Sequence, residues 1–139
     1  MTDSPESSIR SGLVLYAKDK DGVAQFYKAA LDLETRVKED GFVVPGAPGI
    51  ELTVVRIPEG IAAGIEIASP PQAREDTPFK PSFLVPSLEG VRAAIASTGG
   101  QLRPAGSEWL FRGFLHLDGW DPEGNIVQFR RLEAASDMQ

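Results

Sequence analysis

An α+β domain made of two tandem βαβββ modules is predicted by three observations. Strand and helix signals alternate between residues 11 and 132 as strand, helix, then about three strands, and the order then repeats. The halves share an offset: DGVAQFYKAAL from Asp21 lies over EGVRAAIASTG from Glu89, placing Gly22 and Gly90 at 90 − 22 = 68 residues apart. The size and balance, 139 residues with 42% hydrophobic and 24% charged, suit one globular domain able to bury its own core.

The elements follow in order. Residues 1–10 are polar and read as a flexible tail, as do residues 133–139, EAASDMQ. Between them lies a single domain over 11–132, with module one at 11–69, a connector at 70–80 and module two at 81–132. In module one, GLVLYA (12–17) is an apolar run suited to a buried strand. Asp19 or Asp21 then stands ready to cap a helix whose apolar stripe is Val23, Phe26, Tyr27, Ala30 and Leu31. Strands are expected at 34–38, at 50–57 (IELTVVRI, after the turn-rich VPGAPG) and at 63–68 (AGIEIA). The proline-rich, charged SPPQAREDTPFKP is the connector. In module two, SFLV (82–85) is a strand. Ser87 caps a helix carrying Leu88, Val91, Ile95 and Thr98, stopped by Gly99-Gly100. Further strands are expected at 101–103, 108–112, 114–117 and 125–132.

Bulk chemistry narrows the function classes. The absence of cysteine excludes disulfides, zinc-thiolate sites and thiol nucleophiles, and fits a reducing, cytoplasmic compartment. With 14 basic and 20 acidic residues the net charge is −6, and no basic run exceeds Arg130-Arg131, so no nucleic-acid partner is expected. No apolar stretch approaches a membrane span, and MTDSPESSIRSG lacks a basic-then-apolar leader, so no membrane partner is expected either. A small molecule is the expected partner.

Three stretches carry a family resemblance. LVLYAKDKDGVAQFYKAALDL, FLVPSLEGVRAAIASTGGQL and DPEGNIVQF together resemble the two openings and the closing hairpin of the vicinal oxygen chelate superfamily, which includes glyoxalases, bleomycin resistance proteins and extradiol dioxygenases. The resemblance implies a curled, partly open mixed sheet around a ligand cavity, helices on the convex face, and frequent homodimers. It also implies four metal-ligating positions on the first and last strands of each module, which fall here on Gly12, Glu66, Lys80 and Gln128. Gly12 and Lys80 keep the interval of 80 − 12 = 68 residues.

That set is a poor metal site. Glycine offers no donor, an ammonium has no lone pair to give, and one carboxylate with one amide falls short of the sites used by nickel, zinc or ferrous iron. The family's metal is therefore expected to be absent, and no other cofactor is implied; His116 and Asp118 are the residues from which ligands could still be borrowed. Periodicity alone favours Glu66 and Gln128 facing solvent, whereas the resemblance turns both inward, with Lys80 expected to pair with Glu66. Arg130 shares the parity of Gln128 and could hold a carboxylate or phosphate, or stand at a solvated strand end; Arg56 and Arg112 are weaker candidates. Trp109 and Trp120, with Phe111 and Phe114, are core residues or the apolar wall of a ligand site. The lone histidine, His116, is structural or a base. The expected function is metal-free binding of a small molecule, of the glyoxalase or bleomycin-resistance kind. Two alternatives remain: a metal-dependent lyase, isomerase or dioxygenase with an unusual ligand set, and a metal-free enzyme using Glu66 or His116 as general base.

Overall fold

The computed structural model describes residues 10–133. Of the two terminal tails, all but Arg10 and Glu133 lies outside the described residues.

Module one runs β1 (Ser11–Ala17), α1 (Lys20–Leu31), β2 (Glu34–Lys38), β3 (Phe42–Ala47) and β4 (Ile50–Arg56), followed by the short helix α2 (Glu59–Ala62). Module two runs β5 (Ser82–Leu84), α3 (Leu88–Ile95), β6 (Gln101–Leu102), β7 (Trp109–Phe111), β8 (Phe114–Trp120) and β9 (Ile126–Leu132). Each module owns a sheet, ordered β1-β4-β3-β2 and β5-β9-β8-β6, with β7 also on the free side of β8. In both, the first strand lies parallel to the last and the remaining pairs are antiparallel. The repeat therefore extends to topology. It extends to the caps as well: the Asp19 side chain accepts from the Gly22 amide and the Ser87 side chain from the Gly90 amide, and 87 − 19 is again 68.

One expected strand is absent and another takes its place. AGIEIA (63–68) is not a strand; the chain leaves α2 in turns, with Gly64 N donating to Ile61 O and Ile65 N to Ala62 O. Alternating hydrophobicity does not by itself make a ladder. The third strand is instead β3, FVVPGA, whose Pro45-Gly46 reads as a turn in the sequence. A proline in an inner strand leaves a ladder position without its N–H. The sheet absorbs this locally: the register of β2 on β3 shifts between Thr35 and Val37, opposite Pro45. Smaller differences trim the helix expected to reach Thr98, which ends at Ile95, and the strand expected over 108–112, which spans Trp109–Phe111.

The two helices touch one another, α1 packing on the first sheet and α3 on the second. Their apolar stripes meet the inner faces of both sheets in one core that includes Phe26, Tyr27, Leu52, Val91, Leu117 and Phe129. This covers one face of each sheet. The opposite faces stay open, and Val14, Tyr16, Leu84 and Trp109 stand exposed.

The hairpin DPEGN ties the modules together. Asp121, fully buried, accepts from the Glu123 and Asn125 amides at 2.9 and 3.1 Å and from the Tyr27 hydroxyl of module one at 2.9 Å. The Glu123 carboxylate reaches the entry of α1, accepting from the Lys18 amide at 3.0 Å and the Asp19 amide at 2.7 Å. The connector is strapped to the same hairpin by Arg74 N on Gly124 O, 2.8 Å, and Trp120 Nε1 on Pro71 O, 3.1 Å.

Candidate ligand site on module two

Residues paired directly across a sheet share a face. Register places Ser82, Gln128 and Asp118 in one row across β5, β9 and β8, and Leu84, Arg130, His116 and Trp109 in the next. Phe111 and Phe114 complete a third row toward the hairpin tip. All of these belong to the open face, and within it Phe111, Arg112, Phe114, His116, Gln128 and Arg130 line a depression of about 430 Å3.

Its polar groups are interlocked. Ser82 Oγ accepts from Arg130 Nε at 3.2 Å and donates to Gln128 Oε1 at 2.6 Å. That engages the carbonyl end of the amide and leaves its NH2 with no acceptor among the described residues. The Arg130 guanidinium lies 4.7 Å from the Phe114 ring centroid, a cation–π arrangement. His116 is 6% exposed and stacks on Trp109, with centroids 5.4 Å apart. Its Nδ1 sits 3.1 Å from the Phe114 carbonyl. A carbonyl only accepts, so the ring proton resides on Nδ1, and Nε2 of the neutral ring carries the lone pair.

The residues singled out in the sequence divide into two groups. Gln128, Arg130, His116 and Trp109 come together on this face, and Lys80 joins its edge, bonding Asp118 Oδ2 at 3.0 Å and lying 5.6 Å from the Trp109 ring centroid. Lys80 therefore pairs with Asp118, which corrects the pairing with Glu66 expected from the sequence. Glu66 is exposed, lies outside any strand, and lines a different, smaller hollow with Gln72, Arg74 and Glu123. The cause is the strand misplacement above, because the glutamate was assigned to a last strand that is not one. By the interval of 68, Val14 corresponds to Ser82; Val14 pairs with Thr53 as Ser82 pairs with Gln128, so Thr53 is the module-one counterpart of Gln128. Gly12 lies on β1 opposite Glu51, in a separate hollow with Arg10 and Arg36. Ser82 escaped the sequence reading although its position, 14 + 68, marks it as the partner of the last strand.

A divalent metal does not fit the matched positions. Gly12 has no donor, Thr53 offers a neutral hydroxyl, Lys80 is a cation already paired with Asp118, and the Gln128 carbonyl oxygen is engaged by Ser82. Asp118 Oδ1 is buried without a hydrogen-bond partner, yet one carboxylate oxygen and one imidazole make an incomplete set. Among the described residues no group of three or more His, Cys, Asp and Glu side chains could hold a metal ion.

No family model and no curated protein matches the sequence. Solved structures do. The chain is similar to a glyoxalase/bleomycin resistance protein/dioxygenase family enzyme from Burkholderia phytofirmans PsJN, at 13% identity and TM-score 0.64 over 90% of this chain and 99% of that one. It is similar to the oxidase ChaP-H2, at 19% identity and TM-score 0.63 over 90% and 94% of the two chains. A glyoxalase/bleomycin resistance protein from Albidiferax ferrireducens T118 matches at 18% identity and TM-score 0.61 over 89% and 98%. With two modules that each open strand-helix-strand, two open sheets of four and five strands, and near full-length overlap with these structures, the chain carries the fold of the vicinal oxygen chelate superfamily.

Proposed function

We propose that the protein binds a small molecule on the open face of module two and does so without the divalent metal that the family resemblance implies. The observation that carries this reading is the depression lined by Gln128, Arg130 and His116, whose polar side chains are fixed by Ser82 and backbone while aromatic rings form its walls. Concave, mostly apolar sites with a few convergent polar groups are where small ligands bind. The donor set at the matched positions supports the metal-free part. Elemental analysis of purified protein should find nickel, zinc and iron far below one ion per chain; near-stoichiometric metal lost on Gln128→Ala overturns it.

A second reading rests on one observation. His116, with Nδ1 anchored on a carbonyl, would present Nε2 as a base to a substrate in the depression. Glu66, exposed and off the sheet, lends no support to a catalytic role. The relatives named as enzymes make turnover worth screening, and a rate abolished in His116→Gln with binding retained distinguishes this reading from pure binding.

The chain is also read as a cytoplasmic homodimer, in which a second copy covers the exposed Val14 and Tyr16 of one sheet and Leu84 of the other. No helix among the described residues is long and apolar enough to cross a membrane. Light scattering should return twice the 15.0 kDa chain mass, with Tyr16→Glu shifting it toward monomer; a monomeric parent chain refutes the pairing.

A further inference from the structure

We propose that the depression on module two takes a flat organic anion, an aromatic or conjugated carboxylate, with Arg112 and Arg130 on the carboxylate and Phe111 and Phe114 against the planar body. This rests on the reading that the same face binds a small molecule, and it names the chemical class.

The charge of the lining points away from that of the whole chain. The protein carries a net −6, yet the six residues that line the depression include two guanidinium groups and no carboxylate. The nearest acid in register on the same face, Asp118, has one oxygen tied to the Lys80 ammonium. Among the described residues, neither Arg112 nor the terminal nitrogens of Arg130 meet a carboxylate within 4 Å. Arg130 is nonetheless held in place, by its Nε on Ser82 and its plane over Phe114, so little side-chain freedom remains to be lost when an anion docks. The free end of the Gln128 amide is a donor too. A cationic ligand would meet these groups unfavourably.

Backbone strain at Arg112 is an independent observation. β7 and β8 are joined by a two-residue loop, Arg112-Gly113, with φ of 55° and 83°. Positive φ at both positions is the type I′ hairpin requirement, met with least strain by Asn-Gly. An arginine in the left-handed region is costly where asparagine would serve. What arginine supplies and asparagine lacks is a guanidinium on the wall of the depression. Strained, non-optimal residues gather where a site uses them.

The shape selects a flat body. Phe111 and Phe114 lie 5.8 and 6.3 Å, centroid to centroid, from the His116 ring and are tilted against it at 58° and 76°. The volume, about 430 Å3, accommodates a one- or two-ring molecule.

The test titrates isotope-labelled protein with 1-naphthoate and with its neutral analogue 1-naphthamide at low salt, followed by amide chemical shifts. Naphthoate should perturb residues 111–116 and 128–130 saturably and bind about tenfold or more tighter than naphthamide. Arg112→Asn and Arg130→Gln should each weaken naphthoate at least about fivefold, and Arg112→Asn should unfold at the same or higher urea concentration than the parent. Equal affinity for both probes at this face rejects the anion class while leaving small-molecule binding intact. Shifts confined to another surface, or none with millimolar naphthoate, reject the assignment and the underlying reading together. Full affinity in Arg112→Asn, or a loss of its stability, rejects the role given to the strained hairpin.

Discussion

Asp121 shows how much of a residue's chemistry is set by burial that a sequence does not display. In the chain it is the first letter of a turn, Asp-Pro-Glu-Gly-Asn, and that much is legible. Folding leaves it fully buried, and desolvation pushes its carboxyl above the ordinary range against the lowering effect of its hydrogen bonds from Asn125, Glu123 and Tyr27. Burial first, then the charge and hydrogen bond of Asp121, pushes the Tyr27 phenol well above its usual value. The linkage follows from which state holds the proton. From about pH 4, where an unfolded aspartate ionises, up to the raised value, the native chain holds a proton the unfolded chain has lost, so this group makes stability fall as pH rises through the window. Relative to Asp121→Asn, the parent should therefore gain stability when pH is lowered from 7 toward 4. Urea unfolding of both proteins at the two pH values checks this, and a parent that loses ground on acidification contradicts it. At the alkaline end the contribution of Tyr27 is complete below about pH 10, where a free tyrosine titrates, and fades above it; Tyr27→Phe should lack that alkaline loss.

At the scale of elements, legibility tracked whether a local rule was enough. Both long helices were legible because apolar spacing and caps act within one segment: Asp19 and Ser87 each cap the amide three residues on. β3 was not, because Pro45 and Gly46 are turn formers by themselves and tolerable in a strand only opposite the irregularity at Thr35 and Val37. AGIEIA failed in the other direction, with the right alternation but no ladder formed by it. That single exchange of strands carried Glu66 off the candidate site and put Thr53 in its place, while Gln128, Arg130, His116 and Trp109, whose strands were read correctly, did converge. The closing hairpin also does more than turn. Glu123 acts as a remote cap, accepting both amides that precede α1 from a strand connection over a hundred residues away. Truncation leaves two part-buried donors without their charged acceptor, at up to about 1–3 kcal/mol each. Glu123→Ala should cost about 2–4 kcal/mol by urea unfolding. Hydrogen exchange should show the Lys18 and Asp19 amides losing protection selectively, and unchanged protection there would remove the capping role.

For the whole molecule, the repeat raises the question of whether two modules make two folding units. Among the described residues the sheets share no ladder, so backbone pairing between strands does not join them. Side chains do. Phe26 of α1 is fully buried, and its ring lies so close over Gly100 that a Cβ on that glycine would meet it at 2.3 Å. A module-one aromatic thus fits against module-two backbone only because residue 100 has no side chain, and the Tyr27–Asp121 and Glu123–Asp19 bonds cross the same seam. Since one core runs through both modules, neither can lose its inner face without exposing the other's, and unfolding should be a single cooperative transition. Both tryptophans, Trp109 and Trp120, belong to module two, so fluorescence reports that half while far-UV circular dichroism reports both. The two signals should share one urea midpoint. Phe26→Ala, a change in module one alone, should lower that common midpoint by an amount equivalent to about 3–5 kcal/mol. A tryptophan transition left in place while the dichroism shifts would mean that the modules unfold separately and that the seam through Gly100 contributes little.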